Sequence, residues 1–203
     1  MANQLSIIID GIELRQVPRE STDGSRFYVS GNLSDAVGYK LYPDGRCARA
    51  SITYATTPNG KYNAGRKQRY QMFNCAFGHV KPILVSRAVY LAWSKEGAIP
   101  EGYEIDHLNG ITTDNCINNL DAVSKCENRR RANLARCMRK IGLQPKWLYH
   151  SILRGLYSLP TEQAELVINR FRFEADTSDD AITIERINST FAFLLDELKN
   201  QPS

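Results

Sequence analysis

An α+β fold is predicted for this chain of 203 residues, with a β-rich N-terminal region, a short strand–loop–strand–helix unit in the middle and a helical C-terminal segment. Three observations predict it. Short apolar or alternating stretches, parted by Asp-Gly and Pro-Asp-Gly turns, fill the first hundred residues. Between Tyr103 and Ala132 a loop rich in Asn, Thr, Asp and Gly is followed by a Ser-x-x-Glu box that opens a basic stretch. Beyond residue 141 the apolar residues recur at helical spacing. The organisation that follows is three regions: 1–98, 99–141 and 142–203.

In the first region, Ser6–Ile9 and Ile12–Val17 flank Asp10-Gly11, a two-residue hairpin signal. Gly38–Tyr42 and Arg46–Ala50 flank Pro43-Asp44-Gly45, in which the proline presets φ and the glycine supplies a positive one. Thr57–Gly60 and Asn63–Gly65 mark an exposed excursion. Gln68–Ala76 and Lys81–Val85 add strands, and Ser86–Ser94 is a short apolar helix.

The central region begins with a short extended stretch, Glu104-Ile105, that ends at Asp106 and His107. Leu108 to Asn118 is the loop, and Leu120–Val123 the second short strand. Ser124-Lys-Cys-Glu127 matches a capping box, in which the serine hydroxyl accepts from the Glu127 amide and the glutamate reaches back to the serine amide. Asn128 therefore falls in the first turn of a helix, beside a hairpin that brings Asp106 and His107 close. One carboxylate and one amide oxygen make a pair suited to a hard divalent cation. The adjacent imidazole can take a proton from water.

In the C-terminal region Pro145 suits a helix first turn, and Leu148, Ile152 and Leu156 follow at i, i+4 spacing. Leu159-Pro160-Thr161 breaks that helix, and Ala164, Val167, Ile168 and Phe171 form the apolar face of the next. Asp176–Asp180 is a polar break, and Ile184, Ile187, Phe191, Leu194, Leu195 and Leu198 make a final stripe.

The segment YEIDHLNGITTDNCINNLDAVSKCENRRRA, from Tyr103 to Ala132, resembles the ββα-metal (His-Me finger) motif of HNH endonucleases, in particular the phage and intron-encoded homing type. That pattern runs DH-(I/L)-(D/N)-G, then (E/N)NL, then (S/C)EN opening a basic helix, and all three blocks are present in order. Asparagine stands at the third motif position, Asn128, as is common in the homing branch. A fainter likeness reaches upstream, where Tyr39–Arg46, Val85–Trp93 and Ile99-Pro100 resemble the module that precedes the motif in homing-type proteins, with Ser86 where histidine is frequent. The resemblance implies a metal-dependent enzyme that cuts double-stranded DNA. Asp106 and Asn128 would hold one Mg²⁺ or Mn²⁺, His107 would be the general base, and Asn119 would fix the imidazole or the loop through hydrogen bonds. The products would carry 5′-phosphate and 3′-hydroxyl ends.

Charge agrees with a polyanionic partner. The net charge of +4 is modest, but Gly45–Lys95 holds nine basic residues and no acidic one. A second cluster, Arg129, Arg130, Arg131, Arg136, Arg139 and Lys140, directly follows the motif. Arg66, Lys67, Arg69, Arg87, Arg129, Arg130 and Arg131 are the expected DNA contacts, and residues 1–98 the DNA-contacting region. Residues 143–203 carry six basic and nine acidic residues, which fits a helical cover or a homodimer contact better than a DNA-reading appendage.

The five cysteines have no CxxC spacing, so a structural zinc site or disulfide framework is not expected, though Cys116 and Cys126 could pair on oxidation. No apolar run approaches a bilayer span, and Met-Ala-Asn-Gln-Leu-Ser lacks a basic n-region, so the expectation is a cytoplasmic protein (the host cytoplasm if phage-encoded) with no membrane partner. The rival functions are a packaging or restriction nuclease using the same motif, a sequence-specific DNA-binding protein whose nuclease site has decayed, and an RNA-binding protein.

Overall fold

A computed structural model describes residues 5–19, 21–55, 70–74, 82–139, 152–153 and 155–177, together with 189, 193 and 196. It is mixed α+β, with its strands concentrated towards the N-terminus. The chain divides into two compact units: Met1–His107 with Ile111–Val123, and Leu108–Gly110 with Ser124–Ser203. The division runs through the predicted central region.

In the first unit an antiparallel meander of five strands comes first: β1 (Ser6–Ile9), β2 (Ile12–Gln16), β3 (Arg26–Val29), β4 (Gly38–Leu41) and β5 (Cys47–Arg49). The β1–β2 turn is as the sequence implies, with Ile9 opposite Ile12 and Asp10 and Gly11 both at positive φ. The β4–β5 turn likewise uses Gly45 at a φ of 84°, while the Asp44 carboxylate accepts from the Arg46 amide. β3 has no counterpart in the sequence reading. Phe27, Tyr28 and Val29 are buried in succession and so lack the alternation that marks a one-faced strand.

A three-stranded antiparallel sheet follows: β6 (Ile52–Ala55), β7 (Tyr70–Phe73) and β8 (Ile83–Leu84). β6 was also not anticipated, whereas β7 and β8 lie inside the predicted segments. The predicted excursion, Thr57–Gly60 and Asn63–Gly65, lies outside the described residues. Helix α1 (Val85–Trp93) starts one residue early and buries Val85, Ala88, Val89 and Ala92, the i, i+3, i+4, i+7 stripe, against Phe27, Val29 and Phe73. Phe27 and Phe73 meet edge to face, 5.2 Å between centroids.

The C-terminal end of α1 is fastened to the loop after β3. The Trp93 indole donates to the Val29 carbonyl at 2.8 Å, and the Arg15 guanidinium lies 4.1 Å over its ring. Gly31 admits that ring: a Cβ there would stand 2.2 Å from it. Gly31→Ala is therefore expected to destabilise the first unit by about 1–3 kcal/mol through forced displacement of Trp93. Urea unfolding followed by tryptophan fluorescence measures it, and an unchanged midpoint would mean that Trp93 does not pack there in solution.

The first unit closes with β9 (Tyr103–His107), paired with β10 (Leu120–Ser124) in a two-stranded sheet; a 3-10 turn, Ile117–Asn119, lies just before β10. The second unit contains α2 (Lys125–Arg139) and α3 (Thr161–Thr177). Its core joins Leu134 and Ala135 to Ile152, Leu153 and Leu156 and to Ala164, Val167 and Ile168. Those last three are the predicted apolar face; the Phe171 side chain lies outside the described residues, as does most of the predicted helix from 184 to 198. α3 runs through Asp176 to Thr177, so the predicted break at Asp176 comes later than the sequence suggested. Cys47, Cys116, Cys126 and Cys137 are free thiols; Cys75 is outside the described residues. No described helix is long and apolar enough to cross a membrane.

Candidate active site

The strand register of β9 places Asp106 half-buried and His107, its last residue, only 5 % exposed. The loop that follows is stitched to the β3–β4 connection by main-chain hydrogen bonds. The Asn115 amide donates to the Ser34 carbonyl at 3.0 Å and the Ile117 amide to the Gly31 carbonyl at 2.7 Å. Inside the loop the Asp114 amide donates to Ile111 and the Asn119 amide to Cys116. Asn119, 6 % exposed, donates from its side-chain amide to the Asp114 carbonyl at 2.8 Å. Of the two roles expected of Asn119, that bond is the loop-bracing one.

The imidazole has a partner that the sequence reading missed. His107 Nε2 lies 3.2 Å from Asn115 Oδ1. The Asn115 amide nitrogen donates at 2.7 Å to Gln71 Oε1 in β7 and at 3.2 Å to the Thr113 carbonyl. Asn115 is 1 % exposed and Gln71 7 %. No local signal pointed to either residue: Asn115 reads as one more polar loop residue, and Gln71 as an ordinary strand position.

Burial pushes the His107 pKa down, because the charged imidazolium is poorly solvated there, and the Asn115 hydrogen bond and the Asp114 carboxylate offset only part of this. The folded value therefore lies below the ordinary 6.5, and the ring is neutral at pH 7, as a general base requires. As pH falls through 6.5 towards the folded value the unfolded chain takes up the proton first, so stability is lost across that window. Denaturant unfolding on either side of 6.5 should show the loss, and His107→Gln should flatten it; an unchanged pH dependence in that variant would contradict a buried neutral ring.

In the second unit Asn128 stands half-buried in the first turn of α2. The Ser124 hydroxyl accepts from the Glu127 amide at 3.2 Å, the expected first half of the capping box. The Glu127 carboxylate turns along the helix to Arg130, at 2.7 and 2.8 Å, and to Arg131, at 2.9 Å, and both arginines hold it below the usual carboxylate range. Arg130 also donates to the Tyr157 and Leu159 carbonyls at 2.6 and 3.0 Å, and Arg131 lies 5.0 Å over the Tyr157 ring. Of the expected DNA contacts, then, Arg130 and Arg131 are engaged within the second unit. Arg87 and Arg129 are exposed, and Arg66, Lys67 and Arg69 lie outside the described residues.

Among the described residues no group of three or more His, Cys, Asp and Glu could hold a metal ion by itself. A Mg²⁺ site of the sparse kind needs no such group, because one or two carboxylates are supplemented there by water and substrate phosphate. Asp106 in the first unit offers a carboxylate and Asn128 in the second an amide oxygen, each a donor type that a hard divalent cation accepts.

Residues 88–130, from within α1 to the start of α2, match the HNH endonuclease family model. No curated protein and no solved structure is significantly similar to the chain. Over that segment the chain is similar to the HNH endonucleases, a family of nucleases that cut DNA and generally use a divalent metal.

Proposed function

We propose that this protein is an HNH-type DNA endonuclease of the phage or mobile-element (homing-like) kind, hydrolysing one phosphodiester at a time with His107 as general base. The observation that carries the reading is the position of His107 within the matched segment: a buried imidazole kept neutral, held at one ring nitrogen, at the end of β9. His107 takes the proton from the attacking water as the phosphorus–oxygen bond forms, and the 3′ oxygen leaves to give 5′-phosphate and 3′-hydroxyl ends. Asp106 and Asn128 would hold Mg²⁺ or Mn²⁺, which when bound offsets negative charge developing on the phosphate and leaving oxygen. Asn119 keeps the loop beside His107 in shape through the Asp114 carbonyl. Incubating supercoiled plasmid with the protein, with and without Mg²⁺, tests the reading: metal-dependent nicking supports it, and intact plasmid with both Mg²⁺ and Mn²⁺ overturns it.

The two engaged arginines and their exposed neighbour should separate cleanly. Arg129→Ala should weaken binding to all duplex sequences and reduce the salt dependence of the affinity by up to about 0.9 in logarithmic slope, the value of one phosphate contact. Arg130→Ala should instead lower the stability of the second unit by about 1–3 kcal/mol, because it strips hydrogen bonds to a carboxylate and two carbonyls. Fluorescence anisotropy at two salt concentrations, beside thermal unfolding, measures both. An Arg129 variant with unaltered slope would remove that residue from the DNA surface.

A further inference from the structure

We infer that Asn115, braced by Gln71, is the positioning residue that fixes His107 as its Nε2–H tautomer and leaves Nδ1 as the basic atom. The inference rests on the endonuclease reading for its catalytic meaning, but its structural part stands on hydrogen bonds alone. The Thr113 carbonyl can only accept. The Asn115 side-chain atom 3.2 Å from it must therefore be the NH₂ group. The same NH₂ supplies Gln71 Oε1 at 2.7 Å, so the remaining Asn115 atom, the one 3.2 Å from the imidazole, is the carbonyl oxygen. An amide oxygen facing Nε2 is satisfied only if Nε2 carries the proton. With Asn115 1 % and Gln71 7 % exposed, bulk water does not compete for these groups, and shifting the proton to Nδ1 or flipping the Asn115 amide would leave a buried acceptor facing an acceptor.

The relay also ties the base to the upstream sheet. Gln71 belongs to β7, which is hydrogen-bonded to β6 and β8, and it lies 44 residues before Asn115. The orientation of His107 is thereby set by a strand far outside the motif, while the loop carrying Asn115 is held by Ser34 and Gly31. A neutral ring with Nε2 occupied has one lone pair, on Nδ1, and the proton accepted there during hydrolysis leaves the Asn115 bond intact. The base can cycle without rearrangement.

The test is nitrogen-detected NMR of the full chain labelled at histidine, without DNA or metal, near neutral pH. His107→Gln identifies the His107 signals among those of the three histidines. The wild type should show one ring proton, on Nε2, exchanging slowly with water. Asn115→Leu, close in size and apolar, should lose that slow proton and let the tautomers mix, whereas Asn115→Asp, which still offers an acceptor to Nε2, should keep it. Gln71→Met should give an intermediate exchange rate, since the Thr113 carbonyl still orients Asn115. In plasmid cleavage Asn115→Leu should lower kcat by about 100-fold, the scale of a small misplacement of a reacting group, with KM for DNA nearly unchanged. A wild-type proton on Nδ1, or a slow Nε2 proton undisturbed in Asn115→Leu, would overturn the inference. Should Asn115→Leu fail to fold, the wild-type spectrum and Gln71→Met decide alone. A wild type with the Nε2 proton that cuts no DNA supports the tautomer assignment while refuting the endonuclease reading, so the two failures are distinct.

Discussion

His107→Ala is expected to lower the rate of DNA cleavage by about 10²–10⁴-fold, the usual contribution of a general base, while duplex affinity stays near that of the wild type. The separation arises because the imidazole acts on water and makes no phosphate contact in the proposed mechanism. The substitution also strips the ring from a buried network and leaves Asn115 Oδ1 without its donor, at a cost of about 1–3 kcal/mol. Lost activity could thus be confused with lost fold. His107→Gln separates the two: it retains an N–H donor of similar reach to Nε2 but has no basic nitrogen, so it should unfold nearer the wild-type temperature and still not cut. Single-turnover cleavage, anisotropy binding and thermal unfolding on both variants make the comparison. Cleavage by either variant within about threefold of the wild-type rate, far inside the range above, would remove His107 from the chemistry.

Asp106→Ala and Asn128→Ala should each abolish detectable nicking and weaken Mn²⁺ binding by more than the roughly 10–100-fold typical of changes one shell further out. Asp106 supplies the only carboxylate of the proposed pair, so its loss should be the more severe. Calorimetric titration with Mn²⁺ reads the effect without reference to catalysis. Wild-type Mn²⁺ affinity in both variants would place the metal elsewhere in the chain.

Local sequence determined a great deal about this protein. The Asp10-Gly11 and Pro43-Asp44-Gly45 turns, the apolar stripe of α1, the Ser124 cap of α2 and the buried face Ala164, Val167 and Ile168 are all encoded within a few residues, where backbone preference and periodicity act directly. The spacing of Asp106, His107, Asn119 and Asn128 likewise pointed to the HNH endonuclease type, which the match over residues 88–130 bears out.

Tertiary structure alone decided which polar groups are neighbours. β3 and β6 escape a periodicity reading because pairing with flanking strands, and not alternation, defines them. Arg130 is one of three consecutive arginines and looks like a surface charge, yet helix phase and the approach of the Tyr157 and Leu159 carbonyls draw it inward. The base itself shows the same division. A sequence names His107, but which ring nitrogen holds the proton depends on Asn115 Oδ1, and the orientation of Asn115 depends on Thr113 and on Gln71 44 residues upstream. Such contacts carry no local signature because they form only when loop closure brings distant, buried donors and acceptors together, and burial then makes every mismatch costly.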